Sequence, residues 1–119
     1  MGKPILLVVS PRQIASLIAI NLRRAGCDVI AAGSGAEGLH KAEEDGPEFV
    51  LAQPTMPDMD GTEFLRRLRA NQATRGIPVV LLTDVAHVAA VFVRRGVDPD
   101  RAWNAAVRLR RLFARRSGR

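Results

Sequence analysis

Thiol, imidazole and aromatic chemistry are nearly missing from this chain of 119 residues. It has a single cysteine, Cys27, so no disulfide can close within it. With no flanking His or Cys to activate it, that thiol is expected to be a small buried apolar group and not a reactive one. The two histidines, His40 and His87, stand at no metal-ligand spacing from each other or from Cys27, so no metal site is expected. There is no tyrosine, and aromatic residues make up 4% of the chain. That scarcity, with no recognition motif in view, weighs against nucleic-acid binding. No apolar run reaches the ~18–20 residues that a membrane span needs. The amino end, Met1-Gly-Lys-Pro, runs straight into Ile5-Leu-Leu-Val-Val9, too short an apolar stretch for a signal peptide. A soluble, cytoplasmic protein with no membrane partner is the expectation.

What is present is an uneven charge. Residues 1–61 hold five Lys/Arg and eight Asp/Glu, a net of −3, while residues 62–119 hold thirteen Arg and four Asp/Glu, a net of +9; these sum to the +6 of the whole chain. Every basic residue of the second half is arginine, whose planar fork pairs carboxylates and phosphates in a bidentate way that lysine cannot. An acidic partner surface or nucleic acid is one reading. The arginine usage of a GC-rich genome is the other, and the two weigh equally.

Hydrophobic residues make up 47% of the chain, enough to bury a core, and no Pro/Ser/Gly-rich linker divides it. A single domain over 1–119 is expected. Ile5–Val9 is continuously apolar, as a strand buried on both faces should be. Ser10 and Pro11 suit the cap and first turn of a helix carrying Ile14, Leu17, Ile18 and Leu22 at helical spacing, which Gly26 closes. Val29–Ala32 is a second strand, and a helix to about Glu44 follows Gly33-Ser34-Gly35. Phe49–Ala52 is a third strand. Thr62 to about Asn71 is a third helix, with Phe64, Leu65 and Leu68 on one face, and Val79–Leu82 is a fourth strand. This alternation predicts βαβ units and a parallel sheet.

Two readings compete for Asp84–Arg95. One is a helix, capped by Thr83 or Asp84 and stopped by Gly96. The other makes Ala90-Val91-Phe92-Val93 a fifth strand, which the valines at 85, 88, 91 and 93 favour by propensity. The last helix, roughly Asp100–Arg116, turns Ala102, Ala105, Ala106, Leu109, Leu112 and Phe113 inward. Arg101, Arg108, Arg111 and Arg115 form a second stripe, with Trp103 beside the apolar one; together these five are the candidate partner face.

The segment Gln53 to Gly61, with Met56-Pro57-Asp58-Met59-Asp60-Gly61 as a tight loop after the third strand, resembles the corresponding loop of response-regulator receiver domains, the CheY-like family. Ile5–Val9, Arg75-Gly76-Ile77-Pro78 and Leu81-Leu82-Thr83 extend the resemblance in the family's order over nearly the whole chain. It implies a flavodoxin-like, doubly wound parallel α/β fold. The family's order of elements after the fourth strand also favours the fifth strand over the helix, which would leave the fourth helix shortened or missing. Only Asp84–Ala89 would then be left for a crossover that needs at least ~10–12 residues, which leaves three answers open: a minimal loop crossover, an antiparallel hairpin, or exchange of the last elements in a swapped homodimer.

The resemblance also locates a site. The acidic pair that holds Mg²⁺ in the family falls on Val9 and Ser10, and the aspartate that accepts the phosphoryl group falls on Gln53. The family's hydroxyl is kept as Thr83, and its lysine falls on Arg94 or Arg95. Three carboxylates are lost from one pocket, and the Gln53 amide is a poor nucleophile. The expectation is a degenerate pseudo-receiver with no cofactor and no enzymatic activity. It would serve as a phosphorylation-independent interaction module in bacterial two-component signalling, meeting an acidic signalling protein or a second copy of itself. Ranked behind it are a nucleic-acid-binding module built on the basic half and an anion sensor using Thr83 and an arginine.

Overall fold

The computed structural model describes residues 3–116, with side chains through Phe113. The elements run β1 (Ile5–Val8), α1 (Arg12–Arg24), β2 (Val29–Ala32), α2 (Gly35–Asp45), β3 (Phe49–Ala52), α3 (Gly61–Ala70), β4 (Val79–Leu81), α4 (Val85–Arg94) and α5 (Pro99–Arg116). The four strands form one parallel sheet in the order β2-β1-β3-β4. Ile5 is in register with both Val29 and Phe49, and Val50 with Val79. This is the flavodoxin-like arrangement expected.

The central strands explain why the sheet is parallel. Every residue of β1 and β3 is buried, which suits strands covered by helices on both sides. Alternation then sorts their side chains. Ile5, Leu7, Phe49 and Leu51 join a core with α1, α4 and α5, while Leu6, Val8, Val50 and Ala52 join a second core with α2 and α3.

The expected fifth strand does not form; Ala90–Val93 lies inside α4, a full helix. Among the described residues the missing element is therefore the fifth strand and not the fourth helix. Periodicity and capping outweigh the β-propensity of the valines. Val85, Val88, Ala89 and Phe92 recur at i, i+3, i+4 and i+7, the stripe that a helix buries. The Asp84 side chain accepts a hydrogen bond from the His87 N–H at 3.1 Å. At the other end Gly96 takes φ +99°, Val97 N–H donates to Phe92 C=O and Gly96 N–H to Val93 C=O, the glycine-terminated helix end of a Schellman motif. Gly26 ends α1 in the same way, with Cys27 N–H bonded to Leu22 C=O. At the start of α1 no side chain caps the helix, contrary to the role expected of Ser10; the Pro11 carbonyl accepts from Ile14 and Ala15 instead.

Helix α4 packs on the α1/α5 side of the sheet, where the Phe92 ring meets Phe49 at 5.9 Å between centroids. Four residues, 95–98, separate α4 from α5, so the two helices fold back as a hairpin on their own sheet. The strand reading that motivated a swapped dimer is thereby removed. β4 becomes the edge of the sheet, and the α3 side beside it is uncovered: Leu65 is 39% exposed and Leu81 37%. Phe92 is fully buried and Val93 is exposed. Phe92→Ala should therefore cost about 3–5 kcal/mol in urea denaturation, whereas Val93→Ala should fall within about 0.5 kcal/mol of the parent.

Candidate functional site

Parallel strands deliver their following loops to one pole of the sheet, and ligands bind there in folds of this kind. β1 delivers Val9 and Ser10, β3 delivers Gln53, and β4 delivers Thr83. Val9 is spent on packing: its side chain is 1% exposed in the α1/α5 core. Ser10 and Gln53 are joined. The Ser10 N–H donates to Gln53 Oε1 at 2.5 Å, and Gln53 Nε2 donates to the Thr55 carbonyl. One amide thus accepts from the β1–α1 loop and donates within the β3–α3 loop. A carboxylate could do only the first, because it has no N–H to give.

Ser10, Gln53, Pro54, Thr55, Met56, Pro57 and Phe113 line a recess of about 440 Å³ at this pole. No acidic residue is among them. Among the described residues no three His, Cys, Asp or Glu side chains converge to hold a metal. Mg²⁺ requires near-octahedral oxygen ligation, usually with carboxylates. A buried valine, a serine and an amide already engaged at both ends do not meet that need, and the site does not fit the ion.

The acids of the following loop are committed to backbone groups. Asp58 accepts from the Ala36 N–H at 2.9 Å and the Gly35 N–H at 2.8 Å. It thereby ties the loop to the first turn of α2, where the helix dipole favours an anion. These two bonds, Ala36 first, hold its carboxyl below the usual aspartate range. Asp60 caps α3, accepting from the Glu63 N–H at 2.8 Å. Met56 is buried, and its N–H donates to Met59 C=O. The Gly61 N–H donates to Pro54 C=O at 2.8 Å, and a Cβ at Gly61 would stand 3.2 Å from that oxygen. The loop after β3 is a closed brace, and the sequence alone offers no local sign of the Asp58 bonds, whose partners lie 22 and 23 residues away.

The expected cation is not at this pole. Arg94 lines a recess with Glu48, Phe49 and Pro78, at the starts of β3 and β4. Arg95 donates to the Lys3 carbonyl and pairs with Glu48 Oε1 at 2.7 Å, also at the amino-terminal ends of the strands. Because α4 runs back along the sheet as a helix, it carries both arginines to the opposite pole from Gln53. Thr83 is exposed and lines a separate recess between α3 and β4, with Thr62, Leu65 and His87. The anion site imagined from Thr83 and an arginine is not assembled. Two cations near the strand ends, Arg12 and Lys41, line a recess with Ser10 and Glu37 and were not anticipated.

On α5, Arg101, Arg108 and Arg111 are exposed, and the side chain of Arg115 lies outside the described residues. Arg101 and Arg108 share a groove with Asn21, Arg24 and Asn104 of α1 and α5. Arg101 also donates to the Arg24 carbonyl at 3.2 Å. Trp103 is 50% exposed but lies two residues on from Arg101, about 200° around the helix. The candidate face therefore divides into an arginine groove and a separate indole.

The family model for the response regulator receiver domain matches residues 5–99. Among curated proteins, the chain is 37% identical over 83 residues to the alkaline phosphatase synthesis transcriptional regulatory protein PhoP of Bacillus subtilis, covering 70% of this chain and 34% of that protein. It is 33% identical over 84 residues to the DNA-binding dual master transcriptional regulator RpaA of a Synechocystis strain, covering 71% and 35%. The chain thus spans about a third of the length of these relatives. Among solved structures, the N-terminal domain of a response regulator receiver protein from Methanoculleus marisnigri superposes with a TM-score of 0.63 at 37% identity, over 66% of this chain and 63% of that one. The receiver domain of sensor histidine kinase PA1611 from Pseudomonas aeruginosa, with magnesium coordinated in its active-site cleft, gives 0.63 at 27% identity over 68% and 66%. The chemotaxis response regulator CheY4 of Vibrio cholerae, at 21% identity and TM-score 0.66 over 92% and 99%, bears on the fold alone.

The Asp58 brace has a pH signature. A carboxyl depressed in the fold contributes fully above the usual aspartate range, and the contribution is lost as pH falls through the depressed folded value. Asp58→Ala should lower the melting temperature at neutral pH, Asp58→Asn should lower it less, and the gap between Asp58→Ala and the parent should close on acidification in a series of thermal melts.

Proposed function

This chain belongs to the response-regulator receiver family, and we propose that it works there as a docking module whose partner contacts do not depend on phosphorylation. The observation that carries this reading is the Gln53 amide, engaged at both ends at the position where the family's acceptor aspartate would stand. An amide does not attack phosphorus readily. Val9 and Ser10 supply no carboxylate for the divalent ion that offsets phosphoryl charge, in contrast to the magnesium-bearing PA1611 receiver domain. Val9, Ser10, Gln53 and Thr83 are on this view the remains of a phosphorylation site. Asp58 and Asp60 do not replace the acceptor, because each is bonded to the N–H groups of a helix start.

Among the described residues the four-stranded sheet and its flanking helices are kept without the fifth strand, and α5 still offers an exposed face. The exposed arginines 101, 108 and 111 of α5 suit an acidic signalling protein, since a guanidinium pairs a carboxylate in a planar, bidentate fork. No helix among the described residues is long and apolar enough to cross a membrane, in keeping with action in the cytoplasm.

Incubation with acetyl phosphate and Mg²⁺, followed by intact-mass and peptide mass spectrometry, tests the proposal. The parent chain should gain no phosphoryl group. Gln53→Asp should also gain none, because the metal-binding carboxylates at positions 9 and 10 would still be missing. A phosphorylated carboxylate at Asp58, Asp60 or Asp84 of the parent would contradict it.

A further inference from the structure

We propose that two copies of this chain join edge to edge through β4, antiparallel about a two-fold axis at Val80, to form one continuous sheet. The inference stands on β4 being the uncovered edge of the sheet among the described residues and is independent of whether the Gln53 site is inert.

β4 is the edge of the sheet, and among the described residues no strand lies beyond it. Its backbone groups divide by alternation. The Pro78 carbonyl accepts from Val50 N–H at 2.9 Å, and Leu82 N–H donates to Ala52 C=O at 3.1 Å. Residues 78, 80 and 82 therefore face β3, and Val79 and Leu81 turn their N–H and C=O groups outward. The Leu81 carbonyl takes a long bond of 3.3 Å from Asp84 N–H, which leaves it a second lone pair.

Proteins normally blunt such an edge by shortness or with lysine, proline, a bulge or an inward charge; β4 is short, at three residues, but has none of the other devices. Ile77-Pro78-Val79-Val80-Leu81-Leu82 carries no charge. Its one proline sits at a position facing β3, so it removes no outward donor. Val79, Leu81 and Leu65 also form the apolar part of a recess on the α3 side, about 370 Å³ in volume, which Asp84 and His87 border. That is the ground left open when α4 packs on the opposite face.

Two features specify a second copy as the occupant. With the axis at Val80, Val79 of one copy lies opposite Leu81 of the other, and each such pair can exchange two N–H···O bonds. This gives four across the axis and pairs apolar side chains on the α3 face. The same register sets Asp84, just past one end of β4, opposite Gly76 of the other copy. Arg75 stands beside Gly76, and Arg69 is anchored there by donating to the Arg75 and Ile77 carbonyls at 2.9 and 2.8 Å. All three charged residues are exposed, so each copy offers one anion and a pair of cations at complementary ends. A two-fold arrangement satisfies both ends at once and closes on itself, as isologous dimers do.

Sedimentation equilibrium of the full chain from micromolar to high micromolar concentration should show the mass rising from one chain to two. Val79→Pro removes an outward N–H that the β3 ladder does not use, and Leu81→Lys sets cations against each other across the axis. Both should abolish the dimer while circular dichroism and urea melts show the fold intact. Asp84→Lys and Arg75→Asp should each be monomeric alone, and an equimolar mixture should recover a heterodimer, because both ion pairs are then restored. The proposal is overturned if the chain stays monomeric throughout, including a monomer that instead captures a strand of another protein. It is equally overturned if the dimer survives Val79→Pro and Leu81→Lys, or if the mixed variants fail to associate while each remains folded.

Discussion

The carboxyl pole of this sheet is organised by one side-chain amide. Gln53 accepts from the Ser10 N–H and donates to the Thr55 carbonyl, so the loops after β1 and β3 are held to each other by neutral hydrogen bonds. A pole built from several carboxylates must tolerate their mutual repulsion or hold a cation to relieve it. Here there is no such repulsion to relieve, because Val9 has joined the core and Asp58 and Asp60 are bonded to the starts of α2 and α3. The same groups close the loops, and among the described residues no acidic side chain lines the recess and no acidic set converges for a metal. On the proposed reading, the settled pole and the absence of phosphoryl chemistry have one origin, the neutral groups at positions 9, 10 and 53.

The second constraint is the shortness of the chain between β4 and α5. With α4 a full helix and only residues 95–98 before α5, no strand can be laid beside β4. The two helices pack as a hairpin against α1 and the central strands, with Phe92 on Phe49. Arg95 fastens the far end by joining Lys3 and Glu48. The cost is an unpaired edge and exposed Leu65 and Leu81 on the α3 side. The exposed apolar surface beside β4 therefore follows from which strand is missing among the described residues.

Much of this was legible in the residues. The continuous apolar runs of β1 and β3, the glycine ends of α1 and α4, and the inward stripe of α5 follow from period and punctuation alone. The neutral side chain at position 53 was visible as soon as the loop after β3 was placed. What misled was the valine content of 84–95: propensity spoke for a strand, while the spacing of Val85, Val88, Ala89 and Phe92 between Asp84 and Gly96 spoke for the helix that forms. That one inversion also misplaced Arg94 and Arg95, since a helix carries them to the far pole where a strand would have ended beside Gln53. The Asp58 bonds to Gly35 and Ala36, and the second bond of Gln53, were beyond reach because they depend on how separate loops meet in space.

Titration of millimolar Mg²⁺ into the ¹⁵N-labelled chain, followed by the backbone amides of Ser10, Gln53 and Thr55 and the Gln53 side-chain amide, is the most direct examination of the central claim. A pole held by neutral hydrogen bonds predicts no saturable shift at any of these four signals. A saturable response centred on them, with release of the Gln53 amide from its two partners, would show that a cation site survives and would contradict the account.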